Sequence, residues 1–175
     1  MLYTQKNPNE RELSPDEIFS MAQDAFNRCD ADVSGSLDKQ EFINFYVQLG
    51  YGSDTAAGHV FEAADIDKNG RITFDEFWNL FVSMYTRNFG NIGPLAKIFF
   101  DGCDEGHKGY LTRSEFIKFM TMSNVCVNSK QEIEDQIQSY DINGDGKITF
   151  DEIITNENQM KSAREFLQQQ GLLNK

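Results

Sequence analysis

Four twelve-residue segments of the chain share one frame. They read "DADVSGSLDKQE" at 30–41, "DIDKNGRITFDE" at 65–76, "DEGHKGYLTRSE" at 104–115 and "DINGDGKITFDE" at 141–152, loops one to four. Each has Asp first, Gly sixth, Leu or Ile eighth and Glu twelfth, and their starts lie 35, 39 and 37 residues apart. Any fold for this chain must therefore repeat one local structure four times. Apolar residues flank every segment: Phe26, Phe61, Phe100 and Ile137 stand four residues before the loops, and Phe42, Phe77, Phe116 and Ile153 directly follow them. Helix starts are marked too. In "SPDE" at 14–17, Ser14 caps, Pro15 takes the first helical position and Glu17 the third. "SKQE" at 129–132 repeats the pattern. Each unit reads helix–loop–helix, so the chain is expected to be all-α.

The loops offer oxygen at regular intervals. A hard cation such as calcium takes six to eight oxygens, and a twelve-residue loop can supply them from positions 1, 3, 5, 7, 9 and 12. Position 7 gives its backbone carbonyl, so its side chain is free. Position 6 must turn sharply, and glycine tolerates the required angles. Loop one offers Asp30, Asp32, Ser34, the Ser36 carbonyl, Asp38 and Glu41. Loop two offers Asp65, Asp67, Asn69, the Arg71 carbonyl, Thr73 and Glu76. Loop four offers Asp141, Asn143, Asp145, the Lys147 carbonyl, Thr149 and Glu152. At position 9, Asp38, Thr73 and Thr149 are suited to act through a water.

On these loops the chain resembles the EF-hand superfamily, in the four-hand arrangement of calmodulin, troponin C and sarcoplasmic calcium-binding proteins. The resemblance covers residues from about 14 to 160 and fixes no subfamily. It implies four hands in two paired lobes. It also implies a short antiparallel β ladder between the loops of each pair, Leu37 with Ile72 and Leu111 with Ile148.

Loop three keeps the frame and loses the ligands. Gly106 and Lys108 occupy positions 3 and 5, where oxygen is needed. Two unit charges 4 Å apart repel by about 4 kcal/mol at an effective dielectric of 20, and a divalent ion would feel about twice that from Lys108. Three calcium ions are therefore expected, with none in 104–115. A single helix–loop–helix cannot bury its apolar face, so the third hand is needed as the packing partner of the fourth. Two readings remain for Lys108: its ammonium replaces the ion between Asp104 and Glu115, or it is solvated on an open loop.

The formal charge is −12, which disfavours nucleic acid, because phosphate binding needs clustered Lys and Arg. Three cysteines are too few and too widely spaced for a disulfide framework and fit a reducing, cytoplasmic setting. Cys29 and Cys103 read as small buried hydrophobes. No membrane span or signal peptide is legible, and Leu2 excludes N-myristoylation. His59 and His107 lie in no catalytic motif, so an enzyme is not expected. A monomer is.

"NFGNIGPLA" at 88–96 holds two Gly and one Pro. It reads as the boundary between a pair at 14–88 and a pair plus tail helix at 94–170, or as a bend within one compact body. In the tail, Ala163, Phe166 and Leu167 follow helical spacing and Gly171 can end the helix. This stripe either packs on the C-terminal lobe or frays into solvent. Functionally, the chain reads as a calcium sensor that exposes an apolar groove to a partner helix or peptide, or alternatively as a calcium buffer or store of the sarcoplasmic type.

Overall fold

The computed structural model describes residues 13–50, 53–87, 91–125 and 129–169. Among them run eight helices and four two-residue strands. The order is α1 (Pro15–Cys29), β1 (Ser36–Leu37), α2 (Lys39–Gln48), α3 (Asp54–Ala64), β2 (Ile72–Thr73), α4 (Phe74–Arg87), α5 (Gly93–Cys103), β3 (Tyr110–Leu111), α6 (Arg113–Met122), α7 (Lys130–Tyr140), β4 (Ile148–Thr149) and α8 (Phe150–Gln169).

Each helix that leads into a loop ends on the loop's first residue. Asp30, Asp65, Asp104 and Asp141 donate their backbone N–H to the carbonyls of Phe26, Phe61, Phe100 and Ile137, then leave the helical region. The same four residues that anchor the preceding helix in the core thus accept its last bond. At α1 the expected capping box forms, with Ser14 accepting from the Glu17 N–H and Glu17 accepting from the Ser14 N–H at 2.8 Å. Ser129 likewise accepts from the Glu132 N–H at the start of α7. Both β ladders are antiparallel, with Leu37 opposite Ile72 and Leu111 opposite Ile148. These four side chains are buried, so each ladder closes the bottom of a lobe.

Phenylalanine fills both lobes. Phe42, Phe77, Phe99 and Phe116 are buried almost completely, each worth about 1.5–3 kcal/mol relative to exposure. Rings meet edge-on or tilted across the units. Phe42–Phe61 (5.7 Å) and Phe45–Phe77 (5.1 Å) do so in the first lobe, and Phe116–Tyr140 (5.0 Å) in the second.

The lobes share a seam. α3 packs against α5 and α6, and α4 against α5. A close approach lies at Gly102, where an added Cβ would stand 2.3 Å from the Ala63 Cβ and 2.7 Å from the Ala63 Cα. Beside it, Glu62 of α3 holds Lys39 of α2 (3.2 Å) and Lys118 of α6 (3.3 Å), so one carboxylate spans both lobes. Residues 88–90 of the expected boundary lie outside the described residues.

One open alternative is decided and one expectation needs correction. The tail does not fold back onto the C-terminal lobe: α8 runs unbroken to Gln169, Phe166 is 60 % exposed, Ala163 is exposed and Leu167 half-buried. A return would need a reversal of the chain, and no Gly or Pro interrupts residues 150–169. Gly171 lies outside the described residues. Cys103 is buried as expected, with its thiol pushed up to about 12 by burial, but Cys29 is only half-buried. Cys126 lies outside the described residues.

The seam gives a sharp expectation. Gly102→Ala should destabilise the protein by about 1–3 kcal/mol through overpacking against Ala63, although Ala is favoured over Gly in a helix by about 1 kcal/mol. Urea denaturation would measure it, and a gain in stability would mean that α3 and α5 do not meet there.

Candidate functional site

One hydrogen-bond frame recurs in all four loops. The first Asp accepts from two backbone N–H groups with its two oxygens. Asp30 takes Ser34 (2.9 Å) and Gly35 (2.8 Å), and Asp65 takes Asn69 (3.1 Å) and Gly70 (2.9 Å). Asp104 takes Lys108 (2.9 Å) and Gly109 (2.8 Å), and Asp141 takes Asp145 (3.1 Å) and Gly146 (2.9 Å). The last Glu closes the loop from the other side, accepting from the N–H groups of positions 2 and 9. Glu41 holds Ala31 (2.9 Å) and Asp38 (2.8 Å), and Glu76 holds Ile66 (2.8 Å) and Thr73 (2.9 Å). Glu115 holds Glu105 (3.0 Å) and Thr112 (2.7 Å), and Glu152 holds Ile142 (3.1 Å) and Thr149 (2.9 Å).

The sixth glycines stand at φ between +77° and +82°, as the turn requires. Position 4 also lies at positive φ, at Val33 (+56°), Lys68 (+58°) and His107 (+53°). Only loop four places a glycine there, Gly144, so nothing in the residues of the other three loops signals this turn. Position 9 is the cap of the outgoing helix in loop one, where Asp38 Oδ1 accepts from the Glu41 N–H at 2.9 Å. Thr73 and Thr149 turn their hydroxyls to Glu76 and Glu152, each at 2.8 Å. These three side chains are thus held by the loop's own groups.

In loops one and two, carboxylate oxygens converge. One oxygen each from Asp30, Asp32 and Glu41 lie within 4.8 Å of one another, and the same holds for Asp65, Asp67 and Glu76. Such a set fits a hard divalent cation, which would draw three carboxylates together against their mutual repulsion. Ser34 and Asn69 stand beside these sets through their N–H bonds to Asp32 and Asp67. The Ser34 hydroxyl holds the Asp32 carboxyl below its ordinary range, with a smaller contribution from the Arg71 charge. Loop four brings Asp141, Asn143, Asp145 and Glu152 onto the same frame. Its third position is an amide, and the Asp145 carboxylate turns one oxygen to the Lys147 N–H (2.9 Å). It does not form a three-carboxylate grouping of that spacing among the described residues.

Loop three contains its own cation. The Lys108 ammonium donates to Asp104 Oδ1 (3.0 Å), Glu115 Oε1 (2.8 Å) and the Glu105 carbonyl (2.6 Å). The open-loop reading of Lys108 is therefore not what forms. Burial raises the Glu115 pKa, but Lys108, the Thr112 hydroxyl and two N–H groups outweigh it and hold this carboxyl at about 2. Asp104 is likewise lowered, burial being outweighed by the Gly109 N–H and Lys108. The Lys108 ammonium is raised in turn, first by its bond to Glu115.

One side chain falls where the residues alone do not place it. Arg71 is expected to contribute only its carbonyl to loop two. Its guanidinium instead crosses the ladder into loop one, donating to Ser36 Oγ (2.5 Å), Ser34 Oγ (2.6 Å) and the Ser36 carbonyl (3.0 Å). The equivalent residue of the other pair, Lys147, lies over the Tyr110 ring at 4.6 Å.

Known proteins share this pattern. The EF-hand domain pair family matches residues 19–82 and 95–155. The calcineurin B chain of Candida glabrata is 31% identical over 141 residues, covering 78% of this chain and 77% of that protein. Its counterpart in Schizosaccharomyces pombe is 32% identical over 131 residues, 73% of this chain and 72% of that protein. A putative calmodulin-like protein 6 of Oryza sativa subsp. japonica is 27% identical, over 78% of this chain and 81% of that protein. With two matched pairs covering most of its length, and relatives above 30% identity along nearly four fifths of it, the chain belongs to the EF-hand family of calcium-binding proteins.

Proposed function

We propose that this protein is a non-catalytic calcium sensor that binds three ions and then presents an apolar groove to a helix of a partner protein. The observation that carries the reading is the contrast between loops on one frame. Loops one, two and four offer oxygen at every ligand position, while loop three sets an ammonium among its carboxylates. The ligands would be Asp30, Asp32, Ser34, Ser36, Asp38 and Glu41 in the first loop, and Asp65, Asp67, Asn69, Arg71, Thr73 and Glu76 in the second. In the fourth they would be Asp141, Asn143, Asp145, Lys147, Thr149 and Glu152. Ser36, Arg71 and Lys147 act through their carbonyls. The units 14–88 and 94–170 would each work as a pair, the second with loop three as a permanently filled neighbour.

A partner is supported by the relatives' names, since the two calcineurin relatives are by name one component of a larger protein. Calcium opens the helices of sensor hands and exposes their apolar interior, whereas buffer hands barely open. The Phe-rich helices α2 and α4 supply such an interior. The chain would act as a monomer in a reducing cytoplasm, where its free thiols persist.

Calorimetry of the calcium-free protein should count three ions, lowering the formal charge from −12 to −6. Glu41→Gln, Glu76→Gln and Glu152→Gln should each remove or strongly weaken one site, and Glu115→Gln should leave three. A fourth ion, or an equal loss from Glu115→Gln, would overturn the assignment of loop three.

An apolar dye distinguishes the two functional readings. Its fluorescence should rise severalfold on adding calcium to a sensor. No change would show a buffer of the sarcoplasmic type.

The Lys108 pair sets a pH dependence. A carboxyl lowered in the folded state stabilises fully above its unfolded value and loses that contribution as pH falls through its folded value. For Glu115 the window runs from about pH 4.5 down to about 2. Without calcium, Lys108→Met should unfold at lower urea than the parent at pH 6, because it strips a partner from buried carboxylates. The gap between the two midpoints should shrink steadily on acidification across this window.

A further inference from the structure

The Arg71 guanidinium occupies oxygens that loop one would give to an ion. The Ser36 carbonyl, the backbone oxygen at position 7, accepts from Arg71 Nη2 at 3.0 Å and from the Ser34 hydroxyl at 2.8 Å. The single Ser34 hydroxyl proton also lies within reach of Asp30 Oδ1 (3.3 Å), whereas the guanidinium holds the carbonyl with a permanent charge. The position-5 oxygen, Ser34 Oγ, accepts from the same Nη2 at 2.6 Å. The fork is completed by Nε on Ser36 Oγ at 2.5 Å. An arginine holds such a planar fork with little further ordering, and its charge cannot be titrated away.

We propose that Arg71 is the affinity-determining residue of loop one: it competes with calcium for the Ser36 carbonyl and Ser34 hydroxyl and makes loop one the weaker site of its pair. The inference rests on the reading that loop one binds calcium. An ion entering there takes the Ser36 carbonyl and Ser34 hydroxyl oxygens in competition with the Arg71 Nη2, and it does so beside a fixed positive charge. Among the described residues, no guanidinium or ammonium bonds the ligand oxygens of loop two, and Arg71 turns its side chain away from it.

Pairing of loops does not by itself force this contact. In the other lobe the cation at the same place, Lys147, rests on the Tyr110 ring at 4.6 Å, and Tyr110 is the counterpart of Ser36. An aromatic at position 7 takes the neighbouring cation on its face. The serine of loop one instead admits the guanidinium to its hydroxyl and carbonyl. The pair Arg71 and Ser36 therefore makes loop one distinct, in two residues that contribute no ligand side chain to either loop.

The two loops can be followed separately in the full-length protein. The Gly35 N–H donates to Asp30 and the Gly70 N–H to Asp65, so their amide NMR signals report loop one and loop two. In a calcium titration of the parent, Gly35 should shift at higher free calcium than Gly70. In Arg71→Gln and Arg71→Met, the Gly35 midpoint should fall about tenfold while Gly70 moves less than about twofold. An unchanged or raised Gly35 midpoint in both variants overturns the role of Arg71 and leaves loop one a calcium site. Equal shifts of Gly35 and Gly70 also overturn it, since they would show a general charge effect. If Gly35 responds in neither parent nor variant while Gly70 does, loop one does not bind, and the proposal falls with the reading it rests on. A normal Gly70 response shows that each variant is folded.

Discussion

Asp104 and Glu115 tie loop three together through four backbone N–H groups, and the same four bonds tie each of the other loops. The constraint is electrostatic. Two carboxylates at the ends of a twelve-residue segment face each other across its middle, and the N–H groups satisfy only one side of them. The remaining charge has to be met by a cation, or the loop must tolerate repulsion within a partly buried space. Everything above the loops depends on this. The loops set the angle at which each pair of helices leaves, and the ladders at Leu37–Ile72 and Leu111–Ile148 join the units two by two. The phenylalanines then fill the space that those angles create.

Loop three shows that the frame and its cation are separable. Lys108 replaces an oxygen with an ammonium, and three acceptors that would repel one another become its partners. This side chain remains 27 % exposed while Asp104 is only 5 % exposed, so the stem reaches inward and the charge ends among the carboxylates. The apolar shell around loop three matches that of the other hands. Leu111, Phe100 and Phe116 are buried as fully as their counterparts in the other hands.

Much of this is readable from the residues. The loop frame, the Ser14 cap and the all-α architecture follow from local chemistry, much of it repeated along the chain, which is what a sequence displays best, while both ladders come from the resemblance to four-hand proteins. What is not readable depends on which side chains meet across units. Lys108 has two possible environments, and only the closeness of Asp104 to Glu115 decides between them. Arg71 reads as a free side chain at a position that gives a carbonyl, and its target lies 35 residues earlier. The tail's apolar spacing is clear, but whether it returns to the lobe depends on a reversal for which residues 150–169 contain no turn. Gly102 is the one overlooked signal. A glycine inside a helical pattern marks a close approach, and here it is where α5 meets Ala63.

The ammonium of Lys108 differs from any dissolved ion in one respect: it is tethered. Its local concentration is set by a few covalent bonds and does not fall when the cell's free ions fall. With three ions bound as proposed, loop three would have one state of occupancy at all times. Whatever loop four takes up, it does so beside a neighbour that never changes, and its uptake carries no memory of a previous event on its own ladder. Loops one and two face each other without such a fixed companion. Under the proposed stoichiometry only their ladder, of the two, joins loops whose occupancies can both vary, and any steepness in the protein's response that arises between paired loops would originate in the first lobe.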